Sequence, residues 1–368
     1  MSPTAEADQV VPDYRPRFPA ARGGVAILGC GQIAQSAHLP AYEQYGVGVV
    51  GVWSRRQATT AQVRHRFPFV QQVYPDVNAL LEDPDVRIVD IATGPRGRMD
   101  WIEAAVSAGK HVLAQKPLTT TADGLARLVP LLERASALGL EIAVNQNARW
   151  APTWRLGTQL IRAGAIGEVV GVTHLHDKPL PPLVGTPFDD VDHMLITDYL
   201  MHWLDISRCW LEGTEVQTVQ ANESRVPGQP PDSRNPWAAS VSLTCSNGAT
   251  SSLRIAGNVH TARPSCPFWV HGTQGTLRGS VLPGTDPLVL DRDGTLTPFA
   301  LEGQWFVDGF AGTMGELMCA IDEGREPENS AAHVAASIRL MLAARVSVET
   351  GGVPVALDGL ELSPVRGR

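Results

Sequence analysis

Three short stretches of this chain carry side chains suited to chemistry. Lys116 closes Ala108-Gly109-Lys110-His111-Val112-Leu113-Ala114-Gln115-Lys116-Pro117, one of only three lysines (110, 116 and 178) in a chain with 30 Lys plus Arg. Arginine serves most basic positions here. A lysine kept at a strand end is therefore either a compact, tunable ammonium group placed for a reaction or a solvated turn residue. Asp198, His202 and Asp205 stand at i, i+4 and i+7, a spacing that puts all three on one face of a helix whose Leu200, Met201, Leu204 and Ile206 are apolar. Two readings follow: a histidine oriented and kept basic by a carboxylate so that it shuttles a proton, or a buried histidine held by a structural salt bridge. The third stretch, Gly29-Cys30-Gly31-Gln32-Ile33-Ala34, fits G-x-G-x-x-G/A. There Gly29 makes a tight turn, Gly31 lets backbone approach a diphosphate, and Ala34 keeps the helix close to its strand.

The elements that must position these groups can be read from apolar periodicity. Gly24–Leu28 is a buried strand, followed by the glycine turn, a helix to about Tyr45 and a second strand, Val47–Trp53. That order puts an anion on the helix N-terminus and makes Gly29, Cys30, Gly31, Gln32 and Ile33 candidate cofactor contacts. The second strand ends in Trp53-Ser54-Arg55-Arg56, where NAD-binding proteins of this design carry an acid for the ribose diol. Ser54, Arg55 and Arg56 suit a 2′-phosphate, so NADP is expected with NAD as the alternative; the other reading is two arginines opening an exposed helix. Strand and helix then alternate (86–93, 99–107, 111–114, 121–138, 141–144), which means parallel βαβ units and one doubly wound domain. Ala108-Gly109 ends a helix, the strand from His111 is covered on both faces, and Lys116 lies at the carboxyl edge of the sheet, where ligands bind.

The second half reads differently. A helix (151–163), a strand (166–176), a Pro-rich loop, the helix carrying Asp198 and His202, and several alternating strands between Val216 and Leu290 predict a large, mostly antiparallel sheet, followed by helices near 309–323 and 331–349. The expected organisation is a flexible arm (1–22), a Rossmann domain (23–146) and a substrate-binding and oligomerisation domain (147–368). The arm is read as disordered, or as wrapping a neighbouring subunit or the cofactor cleft. A net charge of −8 without a basic run argues against nucleic acid. No uninterrupted apolar stretch has the length of a membrane span and the start lacks a secretory pattern, so a soluble, cytoplasmic protein is expected. Five widely spaced cysteines and the scattered His174, His176 and His193 show neither a disulfide framework nor metal-ligand spacing.

Taken together, the glycine turn, Ala108-Gly109-Lys110-His111-Val112 leading to Lys116-Pro117, and Asp198 with His202 and Asp205 resemble the Gfo/Idh/MocA oxidoreductases, over about residues 24–357. The resemblance implies an N-terminal Rossmann domain, a C-terminal α/β domain with a large open sheet, homodimers or homotetramers formed through that sheet, and NAD(P)-dependent oxidation of a sugar, cyclitol or related polyol. It makes Lys116 the ammonium group at the reacting oxygen, also in contact with the cofactor, His202 the general acid/base, and Asp198 its support. Asn147 and Arg149 become substrate-pocket residues, and Thr93 a cofactor contact. Gln115 departs from the usual Glu before the lysine, Leu200 from the usual Gly, and Arg98 from a frequent His. Two alternatives remain: an NAD-dependent glycosidase of the same family, and a non-catalytic NAD(P)-binding regulator.

Overall fold

The computed structural model describes residues 12–282, 286–358 and 360. Its first half is a six-stranded parallel sheet in the order β3-β2-β1-β4-β5-β6. Along the chain this half runs β1 (Val25–Leu28), α1 (Leu39–Tyr45), β2 (Val49–Trp53), α2 (Gln57–Arg66), β3 (Gln72–Val73), α3 (Val77–Glu82), β4 (Ile88–Ile91), α4 (Arg98–Ser107), β5 (His111–Gln115), α5 (Ala122–Ala137) and β6 (Ile142–Asn145). All four residues of β1 are buried, as a central strand between two helical layers requires. Each such aliphatic side chain stabilises the fold by about 1.5–3 kcal/mol. The strand order reverses between β1 and β4, so the carboxyl ends of those strands open a crevice beside Gly29 and Thr93.

The second half contains α6 (Pro152–Arg162), β7 (Val169–His176), α7 (Met201–Trp210), β8 (Val216–Ser224), β9 (Ala238–Cys245), β10 (Thr250–Ala256), β11 (Pro267–Gly272), β12 (Thr276–Ser280), β13 (Leu288–Arg292), β14 (Thr295–Phe299), α8 (Phe310–Glu323), α9 (Ala331–Glu349) and β15 (Val355–Ala356). Its nine strands form one sheet, antiparallel except where β10 pairs with β7. The alternating buried and exposed residues of β9 and β10 are the signature of a sheet covered on one face. The helix expected over Ile196–Ile206 is two pieces, a π-helical turn (Leu195–Tyr199) and α7, joined at Leu200.

The chain crosses back at its end. Phe310, Met314 and Leu317 of α8 share a core with Leu39 and Tyr42 of α1. Asn329 clamps β6, its carbonyl accepting from Val144 N (2.8 Å) and its Nδ2 donating to Val144 O (2.9 Å). α9 is long and apolar enough to cross a membrane, yet 61% of its apolar window is buried, because it packs on α5, α7 and β8 in the core.

Residues 12–22, expected to be part of a flexible arm, are laid along the chain's own surface. Tyr14 OH accepts from Glu302 N (2.8 Å), Asp13 O accepts from Gln159 Nε2 (2.8 Å), and Phe18 stacks on Tyr45. Aromatic anchors supply enough buried surface to order this segment. The rest of the predicted arm, residues 1–11, lies outside the described residues. All five cysteines are free and buried.

Candidate active site

Gly29 follows β1 with φ +108°, and a Cβ there would meet Thr93 Cγ2 at 3.0 Å and the Ala92 carbonyl at 3.1 Å. No other residue allows β1 and β4 to approach so closely at this turn. A Cβ at Gly31, by contrast, would meet nothing within 4 Å, so the glycine leaves backbone open toward the cleft. The cleft has a volume of about 1470 Å³ and is bordered by Gly29, Cys30, Gly31, Gln32, Ser54, Arg55, Arg56 and Thr93. Thr93 Oγ1 is buried there without a hydrogen-bond partner among the described residues. Open glycine backbone, the start of a helix and an unsatisfied hydroxyl fit a dinucleotide. Burial pushes the Cys30 thiol up to about 12, which makes it an inert wall.

Residues not singled out from the sequence also shape this cleft. Thr59, Arg66 and Arg96 join Arg55 and Arg56 around its border. Asp100, the only carboxylate on the border among the described residues, is bound to Arg127 at 2.7 Å. Trp53 meets Trp101 edge-to-face, with ring centroids 5.7 Å apart, and Pro187 reaches the cleft from the second half. Ile33 and Lys116, expected to touch the cofactor, are not on this border. The Ile33 side chain is half-buried and packs against the core that contains Leu39 and Tyr42.

Lys116 Nζ donates to Asp198 Oδ2 and to Asp198 O, both at 3.1 Å, and thus joins the edge of the first sheet to the second half. Arg98 lies beside this pair with its guanidinium buried, donating to Thr93 O and Pro117 O, so it ties the carboxyl end of β4 to the loop after β5. Desolvation brings its pKa down to about 9, opposed by the charge of Asp198. His202 is buried, Trp305 stands edge-on to it at 5.2 Å, and its Nδ1 has no protein partner among the described residues. Burial, with the positive charge of Lys116 adding to it, holds the His202 pKa well below its ordinary value; Asp205 opposes this only in part. The imidazole is therefore neutral near pH 7.

Four expectations need correction. Among the described residues Asp198 makes no hydrogen bond or ion pair with His202: it sits in a π-helical turn, closed by Leu200 N to Leu195 O at 2.6 Å, and its carboxylate accepts from Lys116. Asp205 makes no hydrogen bond to His202 or Lys116 among the described residues, though its charge reaches His202. Its carboxylate takes a fork of two 2.6 Å hydrogen bonds from Arg149 and one of 2.7 Å from Ser337. Arg149 is thereby consumed as a structural clamp rather than presented to substrate, and its remaining Nη1 donates to Glu328 O at 2.6 Å. Asn147 is likewise buried and internal, its Oδ1 accepting from Trp305 Nε1 at 2.7 Å, which fixes the ring that abuts His202.

Gln115, which departs from the usual Glu, does not share the surroundings of the Lys116 ammonium group. Successive strand residues point to opposite faces, so its side chain enters the core while Lys116 faces Asp198. Its Oε1 accepts from Lys116 N at 2.8 Å, leaving Nε2 directed at His38 Nε2, 3.4 Å away. Asn145 Nδ2 approaches the same nitrogen at 3.3 Å, with Asn145 Oδ1 fixed by Thr313. Two amide donors make His38 Nε2 an acceptor and put the ring proton on Nδ1, 2.7 Å from Asp90 Oδ2. Asp90, a carboxylate inside the apolar run Ile88–Ile91, was the signal for this network. His176 Nε2 lies 2.8 Å from Tyr199 OH, and no group of metal-binding side chains occurs among the described residues.

Comparison with known proteins identifies the family and the fold. Residues 24–142 match the model described as oxidoreductase family, NAD-binding Rossmann fold (GFO_IDH_MocA), and residues 154–278 match the GFO/IDH/MocA C-terminal domain. The chain is 28% identical to D-apiose dehydrogenase of Paraburkholderia graminis over 280 residues, 75% of this chain and 72% of that one. It is 32% identical to inositol 2-dehydrogenase of Acidothermus cellulolyticus over 204 residues, 55% of this chain and 57% of that one. In fold it resembles an oxidoreductase from Agrobacterium radiobacter solved with NAD+, L-tartaric acid and magnesium, with a TM-score of 0.80, 22% identity, and coverage of 93% of this chain and 100% of that one.

Proposed function

The chain belongs to the Gfo/Idh/MocA oxidoreductase family, and we propose that within it this protein is an NADP(H)-dependent enzyme interconverting a hydroxyl and a ketone or lactone on a sugar, cyclitol or related polyol. The observation that supports the reading is the Lys116 ammonium group at the carboxyl end of β5, hydrogen-bonded to Asp198 and near enough for its charge to act on the buried His202 of α7. The nicotinamide supplies the hydride acceptor when bound. His202 takes the proton from the substrate hydroxyl in oxidation and returns it in reduction. Lys116, steadied by Asp198, stabilises negative charge developing on the reacting oxygen, a contribution on the order of 3 kcal/mol for such a donor. Trp305 excludes water from one side of His202.

NADP is favoured by the cationic end of the cleft, where Arg55, Arg56, Arg66 and Arg96 face no free carboxylate among the described residues. Each arginine–phosphate contact contributes about 1.5–3 kcal/mol. Replacing Arg55 and Arg56 by serine therefore weakens NADPH binding by at least about tenfold and leaves NADH binding nearly unchanged. Equal losses for the two nucleotides, measured by fluorescence titration, would remove the NADP assignment. We also propose that copies of the chain assemble through the second sheet, where Val170 and Leu296 leave apolar surface exposed.

A further inference from the structure

His193 is one of two non-glycine residues among those described with a left-handed backbone, at φ 52°. A glycine would adopt that conformation freely, so a histidine there has to be held by its side chain. It is: Nδ1 lies 2.7 Å from Glu223 Oε2 on β8, and Nε2 lies 3.6 Å from Glu349 Oε1 at the end of α9. The Glu223 side chain is only 3% exposed, and its Oε1 has no other partner among the described residues. Arg345, one helical turn before Glu349, pairs with it at 3.5 Å and donates from Nη1 to Thr120 O at 3.0 Å.

These contacts close a ring around the proposed site. The His193 carbonyl accepts from Ile196 N (2.9 Å) and Thr197 N (2.8 Å), so the π-helical turn that carries Asp198 hangs from it. Asp198 holds Lys116, and four residues further on Thr120 is held by Arg345. We propose that His193, Glu223, Glu349 and Arg345 form a clamp outside the cleft that fixes the Lys116 and Asp198 segments against one another, which makes His193 a positioning residue for the reaction. The clamp rests on the reading of Lys116 and Asp198 as site residues. Its charges are Glu223 from β8 and Arg345 and Glu349 from α9, and the half-buried His193 has its pKa raised, first by the hydrogen bond to Glu223.

Full-length His193→Gly relieves the backbone strain while removing the ring of contacts, and Glu349→Gln breaks the same ring from the outer end of α9. Amide hydrogen exchange is measured across 116–121 and 193–201 in both variants, together with turnover on whichever sugar or cyclitol reduces NADP+ with the wild type. In both variants the two segments exchange faster by about tenfold or more, and kcat falls while KM for the nucleotide is unchanged. Arg345→Met behaves the same way, and Arg345→Lys recovers most of the loss. Exchange unchanged in both segments, or faster in 193–201 alone, overturns the clamp. Because exchange needs no substrate, it decides the matter even where the wild type oxidises no polyol, a result that would count against the proposed function and not against the clamp.

Discussion

Replacing Arg149 by methionine keeps most of the side-chain volume and removes the fork that neutralises Asp205. The two side chains are 7% and 1% exposed, so water cannot replace the lost hydrogen bonds. Breaking one partner of such a buried pair costs about 3–5 kcal/mol. For a urea m-value on the order of 3 kcal/mol per molar, the unfolding midpoint falls by about 1 M or more. The pH dependence gives an independent check. Asp205 is held at about 2 against an ordinary value of 3.8, because the charge and hydrogen bonds of Arg149, with help from Arg208 and Ser337, overcome the desolvation that would raise it. A folded value below the unfolded one contributes stability that is present above the unfolded value and lost as pH falls through the folded one. Here that is about 2 kcal/mol, lost between about pH 4 and pH 2. The wild type loses this increment in acid; the variant, lacking it already, does not. Urea titrations followed by circular dichroism at several pH values measure both effects. An unchanged midpoint together with a raised KM for substrate would show that Arg149 is a substrate ligand and that the structural assignment is wrong.

Two further outcomes follow from the site. Because His202 titrates well below its usual range, kcat/KM for oxidation stays level from about pH 8 to about pH 6, while reduction, which needs the protonated ring, speeds up as pH falls; an acid limb near 6.5 in oxidation that disappears in His202→Asn would contradict this. Gln115→Glu changes turnover by less than an order of magnitude and leaves the pH profile of oxidation in place, because the side chain faces His38 and not the Lys116 ammonium group; a profile displaced by the new carboxylate would show that the two groups communicate.

Most of the fold was legible because its signals are local. Short, mostly apolar runs such as Val25–Leu28 and His111–Ala114 suit strands of a covered parallel sheet, and Gly29 and Gly31 mark a turn whose geometry excludes a Cβ at one position and leaves room at the other. The site was harder to read, since its geometry depends on contacts distant in sequence. The spacing of Asp198, His202 and Asp205 assumes one regular α-helix, but Asp198 falls in a π-helical turn ahead of α7 and pairs with Lys116, while His202 and Asp205, both on α7, meet Trp305 and Arg149. Nothing near Arg149 in sequence announces that a carboxylate 56 residues away will claim it. Two features were present in the sequence and went unread. Period-two alternation places Gln115 opposite Lys116, and the charged Asp90 within a buried strand demands the partner it finds in His38.

The central claim is that Lys116 and His202 act together on a hydroxyl beside a bound nicotinamide. It is tested most directly by following NADP+ reduction over a panel of sugars and cyclitols with the wild type, Lys116→Met and His202→Asn, alongside NADPH binding to all three. The account predicts that the wild type oxidises at least one member of the panel, and that each variant binds NADPH as before while its turnover falls by two orders of magnitude or more, roughly the range expected of a general acid/base or an oxyanion donor. Turnover in both variants equal to that of the wild type would contradict it.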